Sequence, residues 1–233
     1  SKPTIVIDGL KAQLVFDVDT SVNVNPAESK VDWIPNQRVV LANLVTSEAT
    51  RTQTASSITW NVRQSWVQYV ASGNAPSAIG GAVPAPAVTV PGQPPLVYSF
   101  TFPFVAGWVD GGPGPGLSAS TKGSGGVYFR YCGSQNVFKG INFTVTAPEV
   151  ELNGTNSRLV FTVQGRDGTP FSPGRAVVVD LRPDSVTPVT TGSTTTWTGI
   201  PGSVPAGSTG VFGGFYAPGA EFGSVDLTIR RGP

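Results

Sequence analysis

Two tyrosines in this chain have neighbours that could turn a phenol into a metal ligand. Tyr69 lies in "ITWNVRQSWVQYVASG" (58–73), three residues after Trp66, and Tyr216 lies in "GVFGGFYAPGAEFGSVDLTI", among glycines that permit close backbone approach. Residues 58–73 read as one amphipathic helix, because Val62, Trp66, Tyr69 and Val70 fall at i, i+4, i+7 and i+8. Thr59 or a preceding Ser would cap it, and Gly73 stands where a left-handed C-terminal residue is expected. A tyrosine on such a rigid element, beside a Trp and apolar side chains, can supply a phenolate oxygen to ferric haem. That chemistry needs a donor or cation nearby, since a phenol ordinarily ionises near ~10. The plainer reading, which residue types alone favour, is aromatic core packing with the hydroxyls satisfied by backbone.

Other chemistries are poorly supported. The chain has no histidine, which excludes a Ser-His-Asp or Cys-His unit and removes the commonest zinc ligand. Cys132 is the single cysteine; it cannot form an intramolecular disulfide, and with no base to activate it a buried inert thiol is expected. The acids Asp17/Asp19 and Glu149/Glu151 alternate with apolar residues along strand-like stretches, so they read as solvated faces rather than a glycosidase pair. "GGPGPG" (111–116) has no Lys-Ser/Thr after it and reads as a loop tip, not a phosphate cradle. A net charge of +1 without a basic run argues against nucleic acid and against a polybasic membrane patch. No apolar run reaches the ~20 residues of a membrane helix. No enzyme class is indicated.

The elements that must position these residues are mostly strands. Gly and Pro number 29 and 21, and only 12% of residues are charged, a composition of many turns around a substantial core. Residues 4–20, "TIVIDGLKAQLVFDVDT", read as a hairpin about "DG", with Ala12, Leu14, Phe16 and Val18 alternating against polar residues. "RVVLANLV" (38–45) is a further strand, and 46–57 reads as a polar connection. The Pro/Gly-rich stretch after Gly73 has no strand period. From Leu96 onward "LVYSFTFPF", "GVYFRYCG", "INFTVTAPEVEL", "RLVFTVQG", "RAVVVDL" and "GSVDLTI" bring the total to around ten strands. The expected fold is all-β, an antiparallel β-sandwich with one or two short helices, preceded by an N-terminal β-arm. The expected division is 1–57 and 58–233. The chain opens at Ser1 with a small, uncharged, Thr/Ser/Gly/Pro-rich composition, and is read as a processed, exported chain.

The helix "WNVRQSWVQYV" resembles the "W-G-V-K-x-S-F-R-x-Y-V" opening of the HtaA domain, a cell-surface module of actinobacteria. "FTFPF", "GGVYFRYCG", "INFTVTAPEVEL" and "FGGFYAPGAEFGSVDLTI" follow in that family's order, over roughly residues 58–230. The resemblance implies a β-rich sandwich that captures haem at the surface without catalysis. It implies an axial Tyr at Tyr69, a second functional Tyr at Tyr216 and a flanking Trp66. The family also carries a supporting His, and the corresponding stretch here, "RYCGSQNVFKG", has none. Arg130 and Arg63 are the cations that could replace it. A second reading is a self-assembling surface or filament subunit, in which residues 1–25 add a strand to a neighbouring copy. The expected partners are therefore haem or further copies, and the expected location is secreted, cell surface or cell wall.

Overall fold

The structure is a computed structural model describing residues 3–8, 11–25, 30–45, 51–92, 94–111, 117–131, 140–167, 170, 172–206, 211–212 and 214–232, with backbone alone for residues up to 45. Cys132 and residues 112–116 of the Gly/Pro loop lie outside the described residues. The chain divides into two compact units, Ser1–Ala49 and Thr50–Pro233.

The first unit holds β1 (Pro3–Asp8), β2 (Lys11–Asn25) and β3 (Lys30–Val45), an antiparallel sheet of order β1-β2-β3. Asp8 pairs with Lys11, so the first hairpin is as tight as its sequence suggests. The β2–β3 register runs from Lys11↔Val45 to Asn25↔Lys30, with one irregularity after Leu14. Within the N-terminal arm, residues 1–25 contribute β1 and β2, and β2 is the middle strand of this sheet.

The second unit begins with β4 (Arg51–Thr52) and β5 (Ser57–Asn61), followed by the helix α1 (Gln64–Ala71). Then come β6 (Asn74–Ile79), β7 (Val83–Pro84), β8 (Ser99–Phe102), β9 (Phe104–Asp110), β10 (Ser118–Gly123) and β11 (Gly126–Tyr131). The remaining strands are β12 (Ile141–Asn153), β13 (Arg158–Asp167), β14 (Gly174–Leu181), β15 (Val189–Thr191), β16 (Thr194–Ser203) and β17 (Glu221–Arg230). They form one antiparallel sheet of order β4-β9-β10-β12-β13-β14-β16-β17-β5-β8-β7, with β11 joining β12 to β6 and β15 beside β16. The sheet curls until its β4 end meets the end of β17. β4 pairs with β9, while Thr54 donates its N–H to Arg230 O at 2.8 Å and Gly232 donates to Thr52 O at 2.8 Å. The all-β expectation holds, and the count of strands exceeds it.

Two expectations about the helix do not hold. Residues 57–61 are strand, not helix: Ile58, Trp60 and Val62 are buried at period two, and that alternation outweighs the helical reading. The helix proper has Arg63 at its N-cap with no side-chain cap, and Ser72 closes it in right-handed geometry. Gly73 does not take the left-handed conformation. A Cβ there would lie 2.7 Å from Tyr131 Cδ2, so its glycine serves close approach. The stretch after Gly73 also contains strands β6 and β7, held by their partners β11 and β8 rather than by apolar alternation.

Inside the curl, Trp60, Trp66, Phe100, Phe102, Phe129, Phe143, Phe161, Phe212 and Phe222 are fully buried, and Phe212 stacks on Phe222 with centroids 3.9 Å apart. Such pairs contribute about 0.5–1.5 kcal/mol beyond the area they bury. At the rim the acids meet cations: Arg158 Nε lies 2.6 Å from Glu151 Oε2, and Arg175 lies 2.7 Å from Glu149. A polar tie holds residues 51–54 to the core. Buried Gln53 donates through Nε2 to Trp108 O at 2.8 Å and Ser120 O at 3.2 Å, and its Oε1 accepts from Thr121 Oγ1 at 2.9 Å. Replacing Gln53 by Leu leaves the buried Ser120 carbonyl and Thr121 hydroxyl, and the part-buried Trp108 carbonyl, without these partners. It should destabilise the unit by about 2 kcal/mol, read as a lower urea midpoint at unchanged slope; an unchanged midpoint would contradict this role.

Candidate functional site

One corner of the second unit gathers most of the candidate residues. The helix α1 buries Trp66, Val67 and Val70 against the core, which turns Tyr69 outward at 43% exposure. Trp66 is completely buried, its ring 4.9 Å from Phe212, 5.9 Å from Phe129 and 6.2 Å from Phe143 between centroids. It is a floor beneath the surface rings, not a surface ring itself. Trp66 and Tyr69 centroids are 6.2 Å apart.

Tyr69 lies between two aromatic neighbours. Tyr131, at the end of β11, is 4.9 Å away between centroids, brought close by the missing Cβ of Gly73. Phe215, 40% exposed, is 5.7 Å from Tyr69 and 5.2 Å from Trp66. Phe215 and Tyr216 sit on a turn whose amides both donate to Phe212 O at 2.9 Å, with Phe212 itself at φ +65°. That conformation is costly for a bulky residue and persists here because the ring is locked by stacking on Phe222. Among the described residues, no hydrogen bond engages the Tyr69 hydroxyl.

Tyr216 is tied up differently. Its hydroxyl is 3.2 Å from Ser65 Oγ, and the Arg63 guanidinium lies 4.5 Å from its ring centroid. Arg63 also donates through Nε to Ser65 Oγ at 2.8 Å, donates to the Glu221 carbonyl, and pairs with the Glu221 carboxylate at 3.7 Å. The cation that sequence offered to a tyrosine therefore goes to Tyr216, not to Tyr69. The Tyr216 and Trp66 rings are 6.4 Å apart, so both tyrosines flank the same indole.

Arg130 is not brought to this corner. On β11, Phe129 is buried against Trp66, and Tyr131 stands on the same face by alternation, while Arg130 is exposed on the other face. Phe215 and Tyr131 are the site residues that sequence reasoning passed over. Both adjoin residues it did single out, Tyr216 and Cys132, and the usable signal was their place in short aromatic runs, "FY" and "YFRY". Among the described residues no group of three His, Cys, Asp or Glu side chains could hold a bare metal ion. The chemistry on offer is one outward phenol between apolar ring faces, which fits a flat, apolar prosthetic group needing a single oxygen ligand and does not fit a free cation.

Comparisons with known proteins bear on the same region. The family model HtaA, described as "Htaa", matches residues 55–228. The crystal structure of the C-terminal domain of HtaA from Corynebacterium glutamicum is similar at TM-score 0.55 and 19% identity, covering 78% of this chain and 99% of that one. The N-terminal domain of the same protein gives TM-score 0.54 and 16% identity over 78% and 100%. Haem-binding protein HtaB from Corynebacterium glutamicum gives 0.50 and 17% over 79% and 96%. No curated protein sequence matches significantly. These identities speak for fold alone. The family model spans most of the curled sheet, from β5 into β17, and takes in the helix and the aromatic turn; this chain belongs to the HtaA family.

Proposed function

We propose that this chain is a non-enzymatic haem-binding domain displayed at the cell surface, with the Tyr69 oxygen as the axial ligand to iron. The observation that carries the reading is the placement of Tyr69: a half-exposed phenol on a short helix, flanked by Tyr131 and Phe215 and seated on buried Trp66. Family membership supports it, as does the likeness to a protein named for haem binding. Bound haem would supply ferric iron, which takes a hard anionic oxygen. The protein's part is to hold that oxygen outward, cover the ring faces with aromatic side chains and limit water. Tyr216, fixed by Ser65 and Arg63, borders the site and places a positive charge beside it. Trp66 acts from beneath, and Arg130, on the other face of β11, is not given a role. The supporting histidine is absent from this sequence, and Arg63, engaged with Tyr216, Ser65 and Glu221, does not take its place at Tyr69.

A hemin titration followed by absorbance tests this, on wild type and on Tyr69→Phe. Wild type should saturate and show a tyrosinate-to-iron charge-transfer band. Tyr69→Phe should lose the band and bind at least about tenfold more weakly, or ~1.4 kcal/mol, with an unchanged circular dichroism spectrum. A flat wild-type titration, or an unchanged band in the variant, would overturn the assignment.

A second reading, self-association as a surface or filament subunit, is favoured by one feature of the first unit: its sheet has long strand edges with no partner among the described residues.

A further inference from the structure

The outer face of the second unit carries a row of side chains that haem binding leaves unused. Directly paired residues share a face, and the register runs unbroken through Trp108 on β9, Ser120 on β10, Glu151 on β12, Arg158 on β13, Asp180 on β14 and Ser203 on β16. Their chain neighbours Val109, Ala119, Leu152, Leu159 and Val179 are buried in the core, so the row faces outward. It crosses six strands, about 24 Å at ~4.8 Å per strand, and holds no aliphatic side chain.

At the β9 end of the row lies a cleft of about 340 Å³, walled by Trp108, Ser118, Ser120, Glu149, Glu151 and Asn153. Trp60, Trp66 and Trp197 are at most 4% exposed, whereas Trp108 is 42% exposed. Two carboxylates are pinned beside it. Buried Ser120 donates to Glu149 Oε1 at 2.6 Å, Arg175 holds Glu149 Oε2 at 2.7 Å, and Lys122 lies 3.7 Å from Oε1. Arg158 Nε holds Glu151 Oε2 at 2.6 Å. Among the described residues no hydrogen bond engages Glu151 Oε1, the Asn153 amide, the Ser118 hydroxyl or the Trp108 indole N–H. Past this ion pair a second cleft, of about 880 Å³, has Arg158, Asp180 and Ser203 in its wall. The row thus leads from one cleft into the next.

We propose that this row is a second binding site, for a neutral pyranose oligosaccharide, with Trp108 as the stacking surface and Glu151, Asn153 and Ser118 as the groups that bind hydroxyls. Three observations select that chemistry. A pyranose ring has an apolar face of C–H bonds, which an indole covers, and a rim of hydroxyls that both donate and accept. The first cleft supplies both surfaces, and its volume is at the small end for ligand sites. Charge disfavours ions: Glu149 and Glu151 already meet Arg175, Lys122 and Arg158, so a cation must displace one of these and an anion must face two carboxylates. A neutral ring leaves every ion pair intact. Length favours a chain of rings, because the repeat of a glycan is close to the spacing between strands and the row continues to the second cleft.

Titrating the full chain with cellohexaose, maltohexaose and laminarihexaose, followed by indole fluorescence and calorimetry, tests this. At least one hexaose should bind saturably at low-millimolar concentration or below, and its disaccharide should bind more weakly. Trp108→Ala should weaken binding at least about tenfold and abolish the fluorescence change, while Trp108→Phe, which keeps a smaller ring, should lose less. Asn153→Ala removes an exposed amide that no other residue uses; it should weaken binding about threefold or more at an unchanged urea midpoint. A solvated face without a ligand would show no saturable binding of any hexaose, and that result would overturn the proposal. So would full binding by both alanine variants. Oligogalacturonate that binds more tightly than the neutral hexaoses and is released by salt would assign the cleft to an anion and overturn it too. The row shares no residue with the Tyr69 corner. Tyr69→Phe should bind the hexaose as wild type does and Trp108→Ala should bind hemin as wild type does, so failure here and failure of the haem reading are distinguishable.

Discussion

Trp66→Ala should cost the second unit about 3–5 kcal/mol, among the largest losses that a single side chain can cause. The indole is completely buried and meets Phe212, Phe215, Phe129, Tyr69, Phe143, Tyr216 and Phe222 within 6.4 Å between centroids. Truncation to alanine removes this transfer and contact energy and leaves a cavity among rings that are locked on their other sides. For a unit of this size the transition should fall by roughly 10 °C. Trp66→Phe should lose much less, because the Nε1–H makes no hydrogen bond here and only the volume of the second ring is missing. Guanidinium unfolding followed by near-UV circular dichroism would measure both. A loss below about 1 kcal/mol for the alanine variant would be far too small for a buried Trp and would contradict the placement of this residue.

Trp66 also shows how far the sequence could be read. Its spacing to Val70 and its aromatic neighbours identified a helix with a buried face, and the order of the later motifs identified the family. What spacing did not reveal was the strand-to-helix switch at Val62–Arg63. There period two, carried by Ile58 and Trp60, gives way to helix within two residues, and one amphipathic pattern spread over both. Nor did it show that Tyr69 points away from the core, because at i+3 from Trp66 a residue can lie at either margin of a buried stripe. The partners Tyr131, on β11, and Phe215, on a turn, come from about 60 and 150 positions away; only the curl of the sheet brings them together, and no local pattern encodes it. Gly73 is the clearest case of a right residue with the wrong reason. Its glycine was expected to end a helix by a left-handed turn, whereas it makes room for the Tyr131 ring.

Gly223→Ala is expected to be as damaging, for a backbone reason. Gly223 lies in β17 at φ +81°, beside the end of β5, where a Cβ would stand 2.0 Å from Asn61 O and 3.0 Å from Arg63 N. Both are main-chain atoms, so no flexible side chain can swing aside to relieve the clash. Ala would add about 1–2 kcal/mol for the left-handed conformation alone, and the displaced end of β5 adds to that. The total should be about 3 kcal/mol or more. Gly219→Ala separates the two contributions, since Gly219 has φ +80° with nothing within 4 Å of its added Cβ; it should show the conformational cost by itself. The difference between the two variants measures how tightly β17 and β5 approach just before the helix begins. That approach matters for function, because Arg63 follows directly and its side chain holds Ser65 and Tyr216. Gly223→Ala should therefore weaken hemin binding by whatever amount it disturbs Arg63, while Gly219→Ala, equally strained but clear of the helix, should bind as wild type does. Equal stability in the two variants would mean that strand and helix have room to spare, and Arg63 would lose its claim to be fixed by the sheet.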